Sequence, residues 1–461
     1  MKATFPHSVS WRKTGAFLLV TDVLALALLY ELVHFARLGT WVNLISIPFF
    51  EVLAAVVITL YIMDVYRVET PATVSRLPVT AAFAALLSII VSASLVYFHG
   101  PLHFESIFGR GVMPIALVLF SGWAAWSRYA LSRWMEKIKE SATWLFLGTA
   151  EKLNYLLRDF EIYVDELIVF LDDLDNKDQL PGVYQDCIKG DSGDLSSCKS
   201  DAITGVIVAT DKAFNEKEVS TLMNYRASGA SLHEFTAFYE QFQFKVPVLH
   251  LKHGWFMQGG GFNLLQNAMG LKLKRVIDIV LAIFLIVLLS PVFILTAFFI
   301  AVDSRGPIFY SQIRKGLNDK NFMVHKFRSM IVDAEKEGAK WAEDNDPRVT
   351  RVGNFIRTAR IDELPQLWNV LKGEMSFIGP RPERPEFIQQ LEKEIPYYDL
   401  RHLVMPGITG WAQVMYPYGA SVEDAREKLQ YDLFYIKNFS LLLDFVILMK
   451  TLRIVLRREG R

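Results

Sequence analysis

Four long apolar segments dominate the first third of the chain, and each approaches the ~20 residues that a helix needs to cross a bilayer. They cover residues 15–36, 44–63, 79–98 and 112–131. The first segment lacks a small-residue cleavage site and is followed by the other three, so it is interpreted as a membrane helix and not as a signal peptide. The pattern predicts four transmembrane helices within residues 1–140.

Basic residues alternate between the two ends of these segments. The clusters on one side are Arg12 and Lys13, Arg67 and Arg76, and Arg133, Lys137 and Lys139. Cytoplasmic loops of membrane proteins are enriched in lysine and arginine, so these clusters are predicted to face the cytoplasm. Four buried helices of a soluble core would not explain the alternation.

Residues 141–253 change to short apolar runs separated by polar stretches: "WLFLG", "ELIVFLDD", "ITGVIVATD" and "KVPVLHL". This rhythm is typical of a parallel α/β domain. The first strand-to-helix turn, "FLGTAEKL", carries one glycine, Gly148, where a dinucleotide-binding turn has three. The sequence predicts a Rossmann-like cytosolic module. It leaves open whether the module is structural, regulatory or nucleotide-binding.

A linker at 254–270, which contains "MQGGGFN", leads to a fifth apolar segment at 276–302 with Ser290 and Pro291 near its middle. Proline breaks the hydrogen-bond ladder of a helix, and a serine can bond the carbonyl groups that the break frees. Lysine and arginine flank both ends, so a full crossing would place one basic cluster on the wrong face. The pattern predicts a re-entrant, kinked helix. A proline-kinked true span is the alternative.

Two adjacent acids, Asp362 and Glu363, precede apolar residues that recur at helical spacing over 364–371. Pro365 is tolerated in a first helical turn, so the acids are predicted to lie at a helix N-terminus. The helix dipole favours ionised carboxylates there and allows a phosphate to bind nearby. A simple capping role is the alternative.

Composition supports a membrane protein of two or three domains, since the 461 residues are 52% hydrophobic with 33 Phe. The 49 basic and 49 acidic residues cancel, so overall charge carries no information about a nucleic-acid partner. The cysteines, Cys187 and Cys198, provide neither a disulfide framework nor four zinc ligands. Both are expected to be reduced thiols.

Five motifs in the last part of the chain are specific in combination: "SPVFIL", "GPIFYSQIRKG", "VHKFRSM", "RTARIDELPQLWNVLKGEMSFIGPRPE" and "PGITGWAQV". Together they resemble the bacterial sugar transferases, the monotopic polyprenol-phosphate phosphoglycosyl transferases. The resemblance covers residues 271–461, expected to form a mainly α (α+β) catalytic domain. With four spans and an α/β module, the chain looks like the long form of that family, which starts exopolysaccharide or O-antigen repeat units.

The resemblance implies an activity and a location. Such enzymes move a hexose-1-phosphate from a UDP-sugar to undecaprenyl phosphate, with Mg²⁺, through a covalent phosphosugar-aspartyl intermediate, and release UMP. Glucose or galactose is the expected hexose. The implied location is the bacterial inner (cytoplasmic) membrane, with the lipid bilayer as a partner and the catalytic and Rossmann-like domains facing the cytoplasm. No nucleic-acid partner is expected, and a homodimer is compatible with a body of this size.

The resemblance also assigns residues. It makes Asp362 the nucleophile, and it makes Glu363 and Asp362 the ligands of Mg²⁺. Residues expected at the phosphates are Lys326, Arg328, Arg357 and Arg381, with Arg314, Arg360 and Arg384 as weaker candidates. Met405 stands where members usually carry a basic residue. The apolar tail, with its late Lys450 and Arg453, is interpreted as an interfacial helix or, alternatively, as a packed core helix.

Two other functions remain open from the sequence. The first is an inverting glycosyltransferase in which Asp362 is only a general base. The second is a membrane-anchored regulator that binds a nucleotide-sugar without turnover and uses the α/β module as its sensor. Loss of the acids or their cations would favour the regulator, and both are retained.

Overall fold

The computed structural model describes residues 3–4, 11–41, 47–63, 65–66, 71–103, 111–137, 143–162, 164, 167–197, 203–251, 268–332, 334, 346–416, 419 and 421–457. The chain forms two compact units, Met1–Phe235 and Thr236–Arg461. Residues 252–267, which include most of the predicted linker, lie outside the described residues, as do Arg67, Lys139 and Cys198. Cys187 is buried and is a free thiol.

Four helices occupy the predicted apolar segments of the first unit: α1 (Trp11–Leu38), α2 (Ile47–Ile62), α3 (Pro71–His103) and α4 (Val112–Lys137). Among the described residues, Thr14–Leu38 and Leu77–Ser94 are long and apolar enough to cross a membrane, and Phe49–Ile62 is a shorter apolar helix. The helices are where the sequence places them. Four crossings remain a prediction.

A buried ion pair joins the first and fourth helices. Arg128 on α4 donates from Nη1 and Nη2 to the two carboxylate oxygens of Asp22 on α1, at 2.7 and 2.6 Å. The Tyr66 hydroxyl and Trp123 Nε1 also donate to this carboxylate, at 3.0 and 3.2 Å. The exposed fractions are 0% for Arg128 and 1% for Asp22, so each charge depends on the other for compensation.

The α/β part of the first unit has a five-stranded parallel sheet. Its strands are β2 (Thr143–Gly148), β4 (Leu167–Leu171), β5 (Ile188–Asp191), β6 (Ile203–Val208) and β7 (Ser231–Glu234), in the order β5-β4-β2-β6-β7. Phe146 in β2 is paired with Val169 on one side and Ile207 on the other. The parallel order agrees with the predicted α/β organisation. Two short strands, β1 (Ala3–Thr4) and β3 (Phe160–Glu161), pair separately.

Two helices of eight residues or more accompany this region, α5 (Ala150–Asp159) and α7 (Glu216–Ala227), with the short α6 (Gly182–Gln185) between them. Helix α8 (Phe235–Phe242) begins at the last residue of the first unit and lies otherwise in the second. A Cβ added to Gly148 would lie 2.6 Å from Ala209 Cβ, so this glycine permits close strand packing. The N-terminal amide of Ala150 already donates to the Asp173 carboxylate at 2.9 Å. A phosphate at this helix end would meet that negative charge, which favours the structural interpretation over nucleotide binding.

The boundary between the units differs from the predicted limit at residue 253. The run "KVPVLHL" forms a 3-10 turn, Val248–His250, and not a further strand. Val246 and Val248 are buried in the core of the second unit, and the Val246 amide donates to Gln430 O at 3.0 Å. Short apolar runs are ambiguous by periodicity alone, and here tertiary packing decided the outcome.

After residue 267 the second unit continues with two helices, α9 (Ala268–Leu288) and α10 (Ser290–Asp303). Their axes are bent by 60° relative to each other. The break lies at the predicted position. Pro291 occupies the first turn of α10, where its missing N–H costs nothing, and Ser290 Oγ donates to Val287 O at 2.8 Å. Return to the same membrane face remains a prediction.

The remaining elements form an α+β body. They are β8 (Phe309–Lys315), β9 (Asn321–Phe327), α11 (Arg351–Thr358), α12 (Gln366–Lys372), β10 (Ser376–Ile378), α13 (Pro385–Glu394), β11 (Gly407–Thr409), α14 (Trp411–Met415), α15 (Val422–Lys437) and α16 (Leu441–Arg457). Strands β8 and β9 form an antiparallel hairpin, while β10 and β11 pair in parallel.

Helix α9 is held to this body by charged side chains. Lys274 Nζ lies 2.7 Å from an Asp444 oxygen of α16, and the Asp278 carboxylate accepts from the Phe377 amide at 3.2 Å. Arg275 donates to the carbonyls of Val370 and Leu371 at the end of α12. One face of α9 is therefore fixed by polar contacts.

The opposite faces of α9 and α16 expose apolar side chains. Val280 and Phe284 of α9 are 62% and 58% exposed, and Leu442 and Phe445 of α16 are 73% and 58% exposed. Ile447 of α16 is nevertheless fully buried in the core. One side of α16 thus packs as a core helix does, while the other offers an apolar surface, and its interfacial placement stays a prediction.

The Asp22–Arg128 pair gives the first prediction. Arg128→Met should destabilise the protein by about 3–5 kcal/mol, because it leaves a buried carboxylate without its charged partner. Asp22→Leu combined with Arg128→Met should cost less than the sum of the two single changes. The measurement is thermal unfolding in detergent, with Ser121→Ala as the control, since that exposed hydroxyl bonds Val118 O of its own helix. Strict additivity of the two changes would contradict the coupling.

Candidate active site

The two acids lie in a 3-10 turn, Ile361–Glu363, between α11 and α12. Arg360 precedes this turn in the left-handed region, with φ 53°. Helix α12 has its N-cap at Pro365, so the acids come before the helix and not at its N-terminus as predicted, and Pro365 lies just before the first turn. Their electrostatics must therefore come mainly from neighbouring side chains.

Three cations surround the Glu363 carboxylate, which is 8% exposed. Oε1 accepts from Lys326 Nζ at 3.1 Å and from Arg381 Nη2 at 2.8 Å. Oε2 lies 3.5 Å from Arg360 Nη1. Charge-assisted hydrogen bonds of this kind stabilise the ionised form of a buried carboxylate.

The same surroundings separate the behaviour of the two acids. Burial alone would raise the pKa of Glu363, but Arg381, Lys326 and Arg360 outweigh it and hold that pKa well below its usual range. Burial raises the pKa of Asp362, with Lys326 opposing the rise and the Glu363 charge adding to it. Asp362 is consequently the more basic carboxylate of a coupled pair, a difference that the sequence did not predict.

The cations that act on Asp362 are positioned by different elements. Lys326 comes from β9, Arg381 from the loop after β10, and Arg357 from the last turn of α11. The charge of each lowers the pKa of Asp362. Arg314 on β8 donates to Pro382 O at 3.1 Å and lies 3.5 Å from a Glu383 oxygen. Arg314 thereby contacts the loop that carries Arg381.

Arg401 supports this loop and was missed by sequence reasoning. Its Nη2 donates to the backbone carbonyl of Arg381 at 2.9 Å and to Asp432 at 3.0 Å, while Nη1 donates to the Tyr398 hydroxyl at 2.5 Å. Arg401 is 6% exposed. Nothing in the sequence distinguishes it from other arginines, because its charged partner is 31 residues away.

Arg328 is not brought to the acids by any contact of the described residues. Its Nη2 donates to Ser304 O at 2.6 Å and to Ser304 Oγ at 2.8 Å, and Nη1 donates to Arg305 O at 3.2 Å. The side chain is 5% exposed. These contacts lie at the end of α10, where an arginine satisfies carbonyl groups that a helix leaves unbonded. Arg328 therefore has a capping role in this geometry, and its expected phosphate contact stays a prediction.

The other candidates lie nearby without joining the cluster in the same way. Arg384 precedes α13, is 7% exposed and packs over the Phe387 ring at 5.8 Å. Met405 is half-buried just before β11, so the position of the usual basic residue carries no charge here.

The acid pair has the donor chemistry for Mg²⁺. Magnesium binds carboxylate oxygens, commonly one or two of them, and completes its shell with water and substrate phosphates. Asp362 and Glu363 supply two such groups, and Glu363 is kept ionised, as a metal ligand must be. Among the described residues, the pair belongs to no cluster of three protein ligands. It therefore suits an ion that takes its remaining ligands from substrate and water.

Comparison with known proteins gives a consistent family assignment. The sequence model described as "Bacterial sugar transferase" matches residues 269–458. The UDP-N-acetylgalactosamine-undecaprenyl-phosphate N-acetylgalactosaminephosphotransferase of Aeromonas hydrophila is 50% identical over 198 residues, 43% of this chain and 47% of that protein. The UDP-glucose:undecaprenyl-phosphate glucose-1-phosphate transferase of Escherichia coli (strain K12) is 44% identical over 181 residues, 39% of each chain.

A shorter relative is matched over most of its length. A Bacillus subtilis (strain 168) protein, provisionally named an undecaprenyl-phosphate N-acetylgalactosaminyl 1-phosphate transferase, is 50% identical over 136 residues, 30% of this chain and 76% of that protein. The chain thus spans less than half of the Aeromonas and Escherichia proteins and about three quarters of the Bacillus protein.

The contacts of Arg328 give the second prediction. Arg328→Met should lower stability by about 2–4 kcal/mol, because it leaves several buried carbonyls without a charged donor. For a unit of this size that corresponds to a fall of roughly 5–15 °C in the unfolding midpoint. Arg351→Met is the matched control, because Arg351 is an exposed arginine at the start of α11. An unfolding midpoint for Arg328→Met equal to that of the parent would refute the capping role.

Proposed function

This chain belongs to the bacterial sugar transferase family, and we propose that it transfers a hexose-1-phosphate from a UDP-sugar to undecaprenyl phosphate, with release of UMP. The observation that carries the proposal is the unequal environment of two adjacent buried acids. Glu363 is held as an anion by three cations, whereas Asp362 is desolvated and more basic. Such a pair separates a nucleophile from an ion-holding ligand.

The chemistry assigned to Asp362 is nucleophilic substitution at phosphorus. A carboxylate oxygen of Asp362 attacks the phosphorus that bears the sugar, a new P–O bond forms, and the P–O bond to UMP breaks with its electron pair leaving on UMP. An oxygen of undecaprenyl phosphate then attacks the same phosphorus, and the aspartyl carboxylate leaves. The product is undecaprenyl-diphosphate-sugar, and Asp362 returns to its starting state.

Repulsion between an anionic nucleophile and an anionic diphosphate is the main barrier that the site must lower. Lys326 and Arg381 donate to Glu363 Oε1, and the charge of Arg357 lowers the pKa of Asp362. The attacking carboxylate is therefore surrounded by positively charged side chains. Arginine can contact phosphate through two parallel hydrogen bonds, while lysine acts as a point charge. We assign Lys326, Arg357 and Arg381 to the phosphates, with Arg314 supporting the loop of Arg381.

Mg²⁺ would be held by Glu363 and Asp362 together with substrate oxygens. When bound, such an ion neutralises phosphate charge and polarises phosphoryl oxygens. The protein's own contribution is to keep Glu363 ionised and to aim Asp362.

The proposal also covers the identity of the donor sugar and the pathway that the enzyme serves. Glucose or galactose was expected from the sequence, whereas the relatives at 50% identity are named for N-acetylgalactosamine. Donor identity therefore needs a panel that includes UDP-glucose, UDP-galactose and UDP-N-acetylgalactosamine. The acceptor resides in a bilayer, and the exposed apolar faces of α9 and α16 suit that surface. We place the enzyme in the bacterial cytoplasmic membrane, at the first membrane step of exopolysaccharide or O-antigen synthesis.

The third prediction tests the nucleophile. Asp362→Asn should abolish UMP release from a UDP-sugar in the presence of undecaprenyl phosphate and Mg²⁺, because a neutral amide cannot form the acyl phosphate. Loss of a general base alone typically costs about 10²–10⁴-fold, so residual activity above about a hundredth would count against the covalent role. Parent enzyme incubated with a donor labelled in the sugar phosphate should carry the label, and Asp362→Asn should not.

The matched control for that experiment is Glu363→Gln. It should mainly weaken the use of Mg²⁺ and should still accept the label at saturating Mg²⁺. An unchanged Mg²⁺ dependence would overturn the metal role of Glu363. Turnover without any labelled protein would instead favour the inverting glycosyltransferase, and donor binding without turnover would favour the regulator.

The fourth prediction concerns topology. UDP-sugars are cytoplasmic, so the residues after Val302 must lie on the cytoplasmic side, and a helix pair that bends and returns achieves this. A single cysteine near Asn318, in a background without Cys187 and Cys198, should be protected in intact cells from a membrane-impermeant thiol reagent. Replacement of Ser290 and Pro291 by leucine should give partial labelling, since a continuous apolar helix of that length can span a bilayer. Labelling with Ser290 and Pro291 intact would contradict the re-entrant arrangement.

A further inference from the structure

A second group of metal-ligating side chains lies in the second unit and uses neither of the two acids. Asp319 is in a 3-10 turn, Leu317–Asp319, between β8 and β9; Glu392 is in α13; His402 is in the 3-10 turn Tyr398–Leu403. One ligand atom of each residue lies within 4.8 Å of those of the other two. Three elements that are separate in sequence thus bring one imidazole and two carboxylates together.

The contact between His402 and Asp319 is the informative one. His402 is 6% exposed, and its Nδ1 lies 2.8 Å from Asp319 Oδ1. Even so, Nδ1 makes no hydrogen bond with any residue that the structure describes. In the tautomer that carries its proton on Nε2, Nδ1 presents a lone pair to the Asp319 oxygen, and a shared cation relieves the repulsion between the two atoms.

His402 supplies an imidazole nitrogen, a ligand that transition-metal ions favour. Lys315 Nζ donates to the backbone carbonyl of Asp319, at 2.9 Å, and not to its carboxylate.

We propose that Asp319, Glu392 and His402 bind a divalent transition-metal ion of the Zn²⁺ type, at a site whose residues are distinct from the Asp362–Glu363 pair. One imidazole nitrogen and two carboxylate oxygens suit Zn²⁺, with water as a fourth ligand, whereas Mg²⁺ prefers an all-oxygen shell. Tetrahedral zinc bonds of about 2.0–2.2 Å place ligand atoms roughly 3.3–3.6 Å apart, so the 2.8 Å pair must widen slightly and any longer separation must contract.

Entry and effect both follow from the location of these residues. The Asp319 side chain is 53% exposed and Glu392 is exposed, so an ion reaches the site from solvent while His402 closes it from the interior. The bound ion joins the β8–β9 turn to α13 and to the turn that contains Arg401. It stabilises the second unit and takes no part in phosphoryl transfer, so the inference does not depend on the proposed function.

The test uses the full, untagged chain in detergent, stripped with a chelator and then kept in Mg²⁺ throughout. Zn²⁺ is added, and bound zinc and the unfolding midpoint are measured. The parent is expected to bind one more equivalent of Zn²⁺ than Asp319→Asn or Glu392→Gln. At about 100 times the dissociation constant, zinc should raise the parent's midpoint by roughly 5–10 °C. Both variants should lose this rise.

Glu394→Gln is the matched control, because Glu394 is an exposed acid on the same helix that interacts with Gln390. This variant should bind zinc and respond as the parent does. The two test variants alter exposed carboxylates, so they are expected to fold where a change at buried His402 could fail. Equal zinc uptake by the parent and both test variants, or a midpoint that zinc does not raise in the parent, would overturn the proposal.

Discussion

The buried carboxylate of Glu363 and its three cations form the interaction on which the active region of the second unit depends. Lys326 comes from the β8–β9 hairpin, Arg381 from the loop after β10, and Arg360 from the residue just before the acid turn. Removal of one partner from a buried charge is strongly destabilising, so the cluster links these three segments energetically. Arg401 extends the link, because it binds the Arg381 carbonyl while pairing with buried Asp432.

The apolar helices are connected to this cluster through the backbone of α12. Arg275 of α9 donates to the last carbonyls of α12, the helix that directly follows the acids. Arg328, the residue just after β9, donates to the Ser304 carbonyl at the end of α10. Two arginines therefore tie both halves of the bent helix pair to segments that carry Lys326 and the acids. Such ties hold the acid pair at a fixed place relative to the apolar surface, as the proposed transfer to a lipid-bound acceptor requires.

Patterns that depend on neighbouring residues were readable from the sequence. Apolar stretches located the helices, alternating short runs located most of the parallel strands, and Ser290 with Pro291 located the 60° bend. Lys326 and Arg328 show where this reasoning stops. They are two residues apart and would share one face of a continuing strand, but β9 ends at Phe327, so Arg328 turns to a helix end. The Asp22–Arg128 pair could not be predicted from the sequence either, because its partners are 106 residues apart.

The adjacency of the two acids acquires a physical reason from this geometry. A helix dipole would have acted on both carboxylates alike, but the acids lie in a separate 3-10 turn and are influenced by side chains instead. Lys326 and Arg381 bond Glu363 directly and reach Asp362 only through space. The direct bonds keep the Glu363 carboxylate anionic. Burial and the fixed charge of Glu363 together make Asp362 more basic. Neighbouring residues of one chemical type are thus driven into different electrostatic states, which suits the roles proposed for them, Glu363 as the residue that holds a cation and Asp362 as the nucleophile.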